Sequence, residues 1–123
     1  MKLLLDTHTF LWAISEPARI PNAQREQIES PANIVYVSAV SVAEIMIKAS
    51  IGKLQVEFDP NEQIVKAGFD ALDFTGRDAM RLAGLPFHHR DPFDRMLISQ
   101  ALERRLRIAT QDPAFKSYDC RLI

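Results

Sequence analysis

The sequence predicts an α/β fold built on a parallel sheet. Two observations carry it. Short aliphatic or β-branched runs alternate along the chain with helical segments opened by Asp-Pro or Ser/Thr caps, and no repeat, low-complexity tract or linker interrupts the series. Strands joined through helices need right-handed crossovers and so run parallel, which puts a ligand crevice beyond their carboxyl ends. The 123 residues suit one domain, 1–123, large enough for a core and too small for two.

The elements follow in order. Residues 2–5, Lys-Leu-Leu-Leu, are an apolar run ended by Asp6-Thr7-His8, as in a strand buried on both faces. Residues 9–14 form a short helix that stops near Ser15-Glu16-Pro17, and the polar segment 22–29, between Pro21 and Pro31, is a surface helix. The β-branched and aromatic run 33–38 is the second strand, followed by a helix over 40–51 that ends at Gly52. Residues 54–58 alternate apolar with polar, as in a small exposed strand or extended loop, and Asp59-Pro60 opens a helix through residue 68. A third strand over 71–74 leads into a helix over 76–82, capped by Thr75 and ended around Gly84-Leu85-Pro86. Asp91 followed by Pro92 is an N-cap with proline at the first helical position, so a helix begins there. Residues 106–110 form a strand ended by Gln111-Asp112-Pro113, and residues 119–123 close the chain as a last short strand.

Composition narrows the function classes. Hydrophobic residues are 47%, charged residues 25% and the net charge −1, which argues against disorder and leaves polyanion binding to a local basic patch. Lys48, Lys53, Arg90 and Arg95 are the candidates for the rim of the crevice. Cys120 is the only cysteine, so no internal disulfide forms, and it is expected to be a small buried core residue. The apolar run at residues 3–5 is too short for a signal peptide or a membrane span, and a soluble cytoplasmic protein without membrane contact is expected.

Four acids stand where the crevice is predicted. Asp6 and Asp112 follow strands, and Glu44 and Asp94 fall in the first turns of helices. Singly, each has a structural explanation: Asp6 and Asp112 as caps, Ser41-Val42-Ala43-Glu44 as a capping box, Asp94 as a complement to the helix dipole. Together they imply more. At helical spacing Asp94 shares a stripe with Leu97, Ile98 and Ala101, with no obvious cation on it, and Glu44 shares one with Val40, Ile47 and Ile51. Carboxylates gathered in one crevice repel, and either take up protons or share a divalent cation. All-oxygen ligands favour Mg²⁺ or Mn²⁺ over zinc. His88-His89 lie in a loop before the helix, where a surface or RNA-contacting role is expected rather than a metal or general-base one. Trp12, with Phe10 and Leu11, is expected in the core or at a dimer surface.

Asp6-Thr-His, Ser41-Val-Ala-Glu44, the segment Arg90-Asp-Pro-Phe-Asp94-Arg-Met-Leu-Ile-Ser-Gln-Ala101 and Thr110-Gln-Asp112 together resemble the PIN-domain ribonucleases, specifically the VapC toxins of bacterial and archaeal toxin–antitoxin pairs. The resemblance spans nearly the whole chain. It implies a three-layer α/β/α PIN-like fold with a central, mostly parallel sheet, Mg²⁺- or Mn²⁺-dependent endoribonuclease activity on RNA, a homodimer, and inhibition by a cognate VapB-type antitoxin. Under it, Asp6, Glu44 and Asp94 match the core metal-binding and catalytic acids, and Asp112 the more variable fourth. Asp91, one turn before Asp94, fits either an N-cap or an auxiliary ligand; Thr7 and Thr110 neighbour matched acids and are placed to orient them, as is Ser41 beside its capping role. Two other classes compete. A Mg²⁺-dependent phosphatase usually carries Asp-x-Asp after its first strand, where this chain has His8, and a non-catalytic PIN-like binding domain would not need four intact acids.

Overall fold

The structure, a computed structural model, describes residues 1–123. Strands β1 (Lys2–Leu5), β2 (Ile34–Ser38), β3 (Asp70–Leu72), β4 (Arg107–Ala109) and β5 (Arg121–Leu122) form one sheet in the order β3-β2-β1-β4-β5. Every pairing in it is parallel. The helices are α1 (Thr7–Ser15), α2 (Asn22–Glu29), α3 (Ala39–Ser50), α4 (Pro60–Lys66), α5 (Gly76–Met80) and α6 (Pro92–Arg104). The three-layer α/β expectation holds.

Alternation along β1 separates the layers. Leu3 and Leu5 pack on one face with Phe10, Ile28, Ile45 and Ile64 from α1 to α4. Leu4 points to the other, against Leu97, Ile98 and Ala101 of α6 and Phe115. All three leucines are fully buried, because β1 is central and helices cover both of its faces. From β1 the chain moves outward to β2 and β3, then crosses back to place β4 on the other side of β1. The strand order therefore reverses between β1 and β4, and a crevice opens there beyond the carboxyl ends.

Several local expectations change. The helix predicted over 40–51 begins at Ala39, capped by Ser38, whose Oγ accepts from the Val40 N–H at 3.0 Å. Ser38 is also the last residue of β2, so the chain turns from strand to helix without a loop and the cap falls three residues earlier than the Ser41-Glu44 box. Glu44 is consequently in the second turn of α3, not the first. Of its predicted stripe only Val40 is buried; Ile47 and Ile51 are exposed. Residues 54–58 pair with no strand and form an extended loop, and the helix predicted over 76–82 is α5 followed by a 3₁₀ turn over Arg81–Gly84. Cys120 is half-buried rather than in the core, its Sγ 3.6 Å from the Phe115 carbonyl.

Helix α5 is fastened to α6 by a buried ion pair. Asp78 completes a capping box with Thr75 and is fully buried; Arg104 donates to it at 3.0 and 3.2 Å. Burial alone would raise the Asp78 carboxyl, but Arg104 and Thr75 together hold it below its usual value. No helix is long and apolar enough to cross a membrane.

Candidate active site

Register brings the first residues of the site to one rim. Leu5 lies opposite both Val37 and Ala109, so Asp6, Ser38 and Thr110 leave their strands at the same level. Asp6 is 4% exposed. Its Oδ1 caps α1, accepting from the Thr9 N–H at 2.9 Å, and its Oδ2 accepts from the Thr110 hydroxyl at 2.5 Å. The same hydroxyl accepts from the Asp112 N–H at 3.0 Å, so one threonine joins the turn after β1 to the turn after β4. From α2, the buried Gln24 donates to the Thr110 carbonyl at 3.1 Å and accepts from the Gln111 side chain.

The second group comes from α6 and the loop before it. Asp91 is an N-cap, as the Asp-Pro pair predicts: its Oδ1 accepts from the Phe93 and Asp94 N–H groups at 2.9 and 3.1 Å. Asp94, half-buried, meets His89 Nε2 at 2.8 Å through Oδ2. His89 also lies 4.0 Å from Asp112 Oδ2, and one donor atom from each of His89, Asp94 and Asp112 falls within 4.8 Å of the others. Asp112 caps the 3₁₀ turn Pro113–Ser117 through Oδ1 and keeps a 42% exposed side chain. His89 is thus an inward neighbour of the acids rather than a surface residue.

Nothing near His89 in sequence announces this, because its position is set from a distance. The Tyr118 hydroxyl accepts from the His88 and His89 backbone N–H groups at 3.1 and 2.9 Å, and Arg95 donates to it at 3.2 Å. Arg95 further donates to the Leu85 and Pro86 carbonyls and lies over the Phe87 ring. The expected rim cation is therefore a tether that shapes the loop.

Glu44 enters from α3, 2% exposed. Lys48, one turn on, donates to Oε2 at 2.6 Å, while Oε1 is buried without a partner. Beside it the Ser41 hydroxyl accepts from Thr7 at 3.0 Å. That Lys48 pairs with Glu44 is an i,i+4 relation visible in the sequence.

Electrostatics ties the two groups together. Burial pushes the Asp94 carboxyl up to about 6, and the charges of Asp91, Asp6 and Glu44 push the same way, against the lowering hydrogen bond from His89. Lys48 is raised, first by its bond to Glu44 and then by the charges of Glu44, Asp91 and Asp94, against its own burial. Asp94 and Asp112 are brought together with His89, one donor atom from each within 4.8 Å of the others; Asp6 and Glu44 stand outside that group, Asp6 reaching Asp112 through Thr110 and Glu44 bearing on Asp94 through its charge. The donors are carboxylate oxygens with one imidazole nitrogen, a set suited to a divalent cation.

The family model for the PIN domain matches residues 3–119. The chain belongs to the PIN domain family. Among solved structures similar to this PIN domain is VapBC2 from Rickettsia felis bound to a DNA fragment from its promoter, with a TM-score of 0.74 and 16% identity over 100% of this chain and 98% of that one. VapBC-5 from Mycobacterium tuberculosis matches with 0.63 and 21% over 99% and 97%, and FitAcB from Neisseria gonorrhoeae with 0.60 and 24% over 98% and 96%. No curated protein sequence matches. At these identities the likeness is one of fold.

Proposed function

We propose that this PIN domain is a divalent-metal-dependent endoribonuclease and the toxin member of a VapBC-type pair. The observation that carries it is acid groups gathered at the sheet's switch point: Asp94 and Asp112 each bring a carboxylate oxygen within 4.8 Å of the other and of His89, and Asp6 is joined to the Asp112 backbone through Thr110. The orphaned Glu44 Oε1, buried and without a partner, supports a cation there, since an unpaired buried carboxylate oxygen is costly. Asp6, Glu44, Asp94 and Asp112 would hold Mg²⁺ or Mn²⁺. When bound, the ion supplies positive charge against the phosphate oxygens and acidifies water.

The chain's own groups do the rest. Asp112, the most exposed of the four and tied at its backbone to Thr110, accepts the proton of the attacking water at Oδ2. Thr110 and the α1 N-terminus fix both Asp6 oxygens, so that carboxylate is oriented before an ion or substrate arrives. Similar structures are VapBC complexes, which supports a VapB-type antitoxin as partner. Ile47 on α3 and Ile51 just past its end, both exposed, offer apolar surface for the antitoxin or for a second copy in a homodimer.

The test is cleavage of end-labelled RNA by metal-stripped protein with Mg²⁺, Mn²⁺ or chelator, beside matched DNA and a small phosphate ester. Internal cuts in RNA only with metal are expected. Equal cleavage in chelator, or hydrolysis confined to the small ester, overturns the reading.

A further inference from the structure

His89 stands at the acids with the separations of a ligand. Its Nε2 is 2.8 Å from Asp94 Oδ2 and 4.0 Å from Asp112 Oδ2. Two donors held at about 2.1 Å by one small divalent ion are at most about 4.2 Å apart, and both separations fall inside that limit. We infer that His89 is itself a metal ligand through Nε2, and that it tunes the site toward Mn²⁺ over Mg²⁺. The inference rests on the divalent-metal reading above and adds a residue and a preference to it.

Three observations support a built position. The loop is anchored from its far side, the His89 N–H bonding to the buried Tyr118 hydroxyl at 2.9 Å, so the imidazole is held at the acids instead of swinging in solvent. A second donor is unsatisfied, since Lys48 takes only Oε2 of the buried Glu44 and leaves Oε1 without a partner. The charge of that same Glu44 bears on Asp94, the residue His89 touches. Imidazole nitrogen is a poor ligand for Mg²⁺, which keeps oxygen ligands and water, and a better one for the first-row divalent ions, a series in which Mn²⁺ is the weakest binder. Exchanging one oxygen ligand for nitrogen therefore separates two ions that an all-carboxylate site treats more alike. The competing role is that of an outer partner, hydrogen-bonded to Asp94 and orienting it without touching the ion.

Pulsed electron paramagnetic resonance of Mn²⁺ added to the metal-stripped full chain distinguishes these. Hyperfine coupling to an imidazole nitrogen in the parent protein, lost in His89→Gln, is expected. In parallel calorimetry, His89→Gln weakens Mn²⁺ binding more than Mg²⁺ binding, so that the Mn²⁺ to Mg²⁺ affinity ratio falls. Bound Mn²⁺ with no nitrogen coupling, and an unchanged Mn²⁺ to Mg²⁺ affinity ratio in the variant, overturns the role of His89 and leaves the acidic metal site standing. Absence of any Mn²⁺ or Mg²⁺ binding by the parent overturns both.

Discussion

The hydroxyl of Thr110 donates to Asp6 Oδ2 at 2.5 Å across the point where the strand order reverses. The same Thr110 hydroxyl accepts in turn from the Asp112 N–H. The two acids at the ends of β1 and β4 thus share one side chain, so their positions are coupled before any ion binds. Charge-assisted hydrogen bonds of this kind are short and strong, and both Asp6 and Thr110 are buried.

Thr110→Val keeps the shape of the side chain and removes both bonds. It is expected to cost about 1–3 kcal/mol and to weaken divalent-ion binding, while Thr110→Ser, which keeps the hydroxyl, retains most of both. Denaturant midpoints and calorimetry check this. Equal behaviour of the three proteins would show that the bond does not position Asp6.

The raised Asp94 carboxyl sets a pH dependence. It sits at about 6 against an ordinary 3.8, so between about pH 4 and pH 6 the native state binds more protons than the unfolded chain, and metal-free protein loses stability as pH rises through that window. Asp94→Asn is neutral throughout. It is expected to abolish cleavage, yet to exceed the parent in stability at pH 7 by on the order of 2 kcal/mol, with the gap closing by about pH 4. Denaturant titrations across that range measure it, and a gap that ignores pH would contradict a carboxyl raised by burial and by the neighbouring acids.

Lys48 and a metal ion compete for Glu44. Replacing the lysine leaves a buried carboxylate unpaired, so Lys48→Met is expected to lower the melting temperature in chelator and to show a larger rise than the parent on adding Mn²⁺. Melting curves in chelator and in saturating Mn²⁺ are the readout. An identical metal-induced rise in the two proteins would separate Glu44 from the ion.

The Asp78–Arg104 pair serves as a structural contrast. Asp78 is fully buried, and Arg104 reaches it from a partly exposed position, so Arg104→Ala is expected to cost about 2–4 kcal/mol through α5 and its contact with α6. Cleavage per folded molecule should be unchanged below the melting transition. A loss of activity without a loss of stability would mean that α5 reaches the site.

What was legible in the sequence was whatever is encoded locally. The apolar run of β1 and the Asp91-Pro92 start of α6 are short-range signals, and both appear at the predicted residues. So does the Asp94 stripe, with Leu97, Ile98 and Ala101 buried. The Ser41-Glu44 box failed because two serines compete to cap α3, and which one wins depends on how directly β2 turns into the helix. The alternation over residues 54–58 left strand and extended loop open, and the loop is what forms because no neighbouring strand pairs with it. His89 was hidden most completely: Tyr118, 29 residues later, fixes its backbone, and such a contact exists only after the chain has folded.

The most direct test of the central claim is anomalous diffraction from crystals of the chain soaked in Mn²⁺. The account predicts a peak in the crevice, within bonding distance of carboxylate oxygens of Asp6, Glu44, Asp94 and Asp112. Mn²⁺ bound only elsewhere on the surface, with these carboxylates left to their present partners, would contradict it.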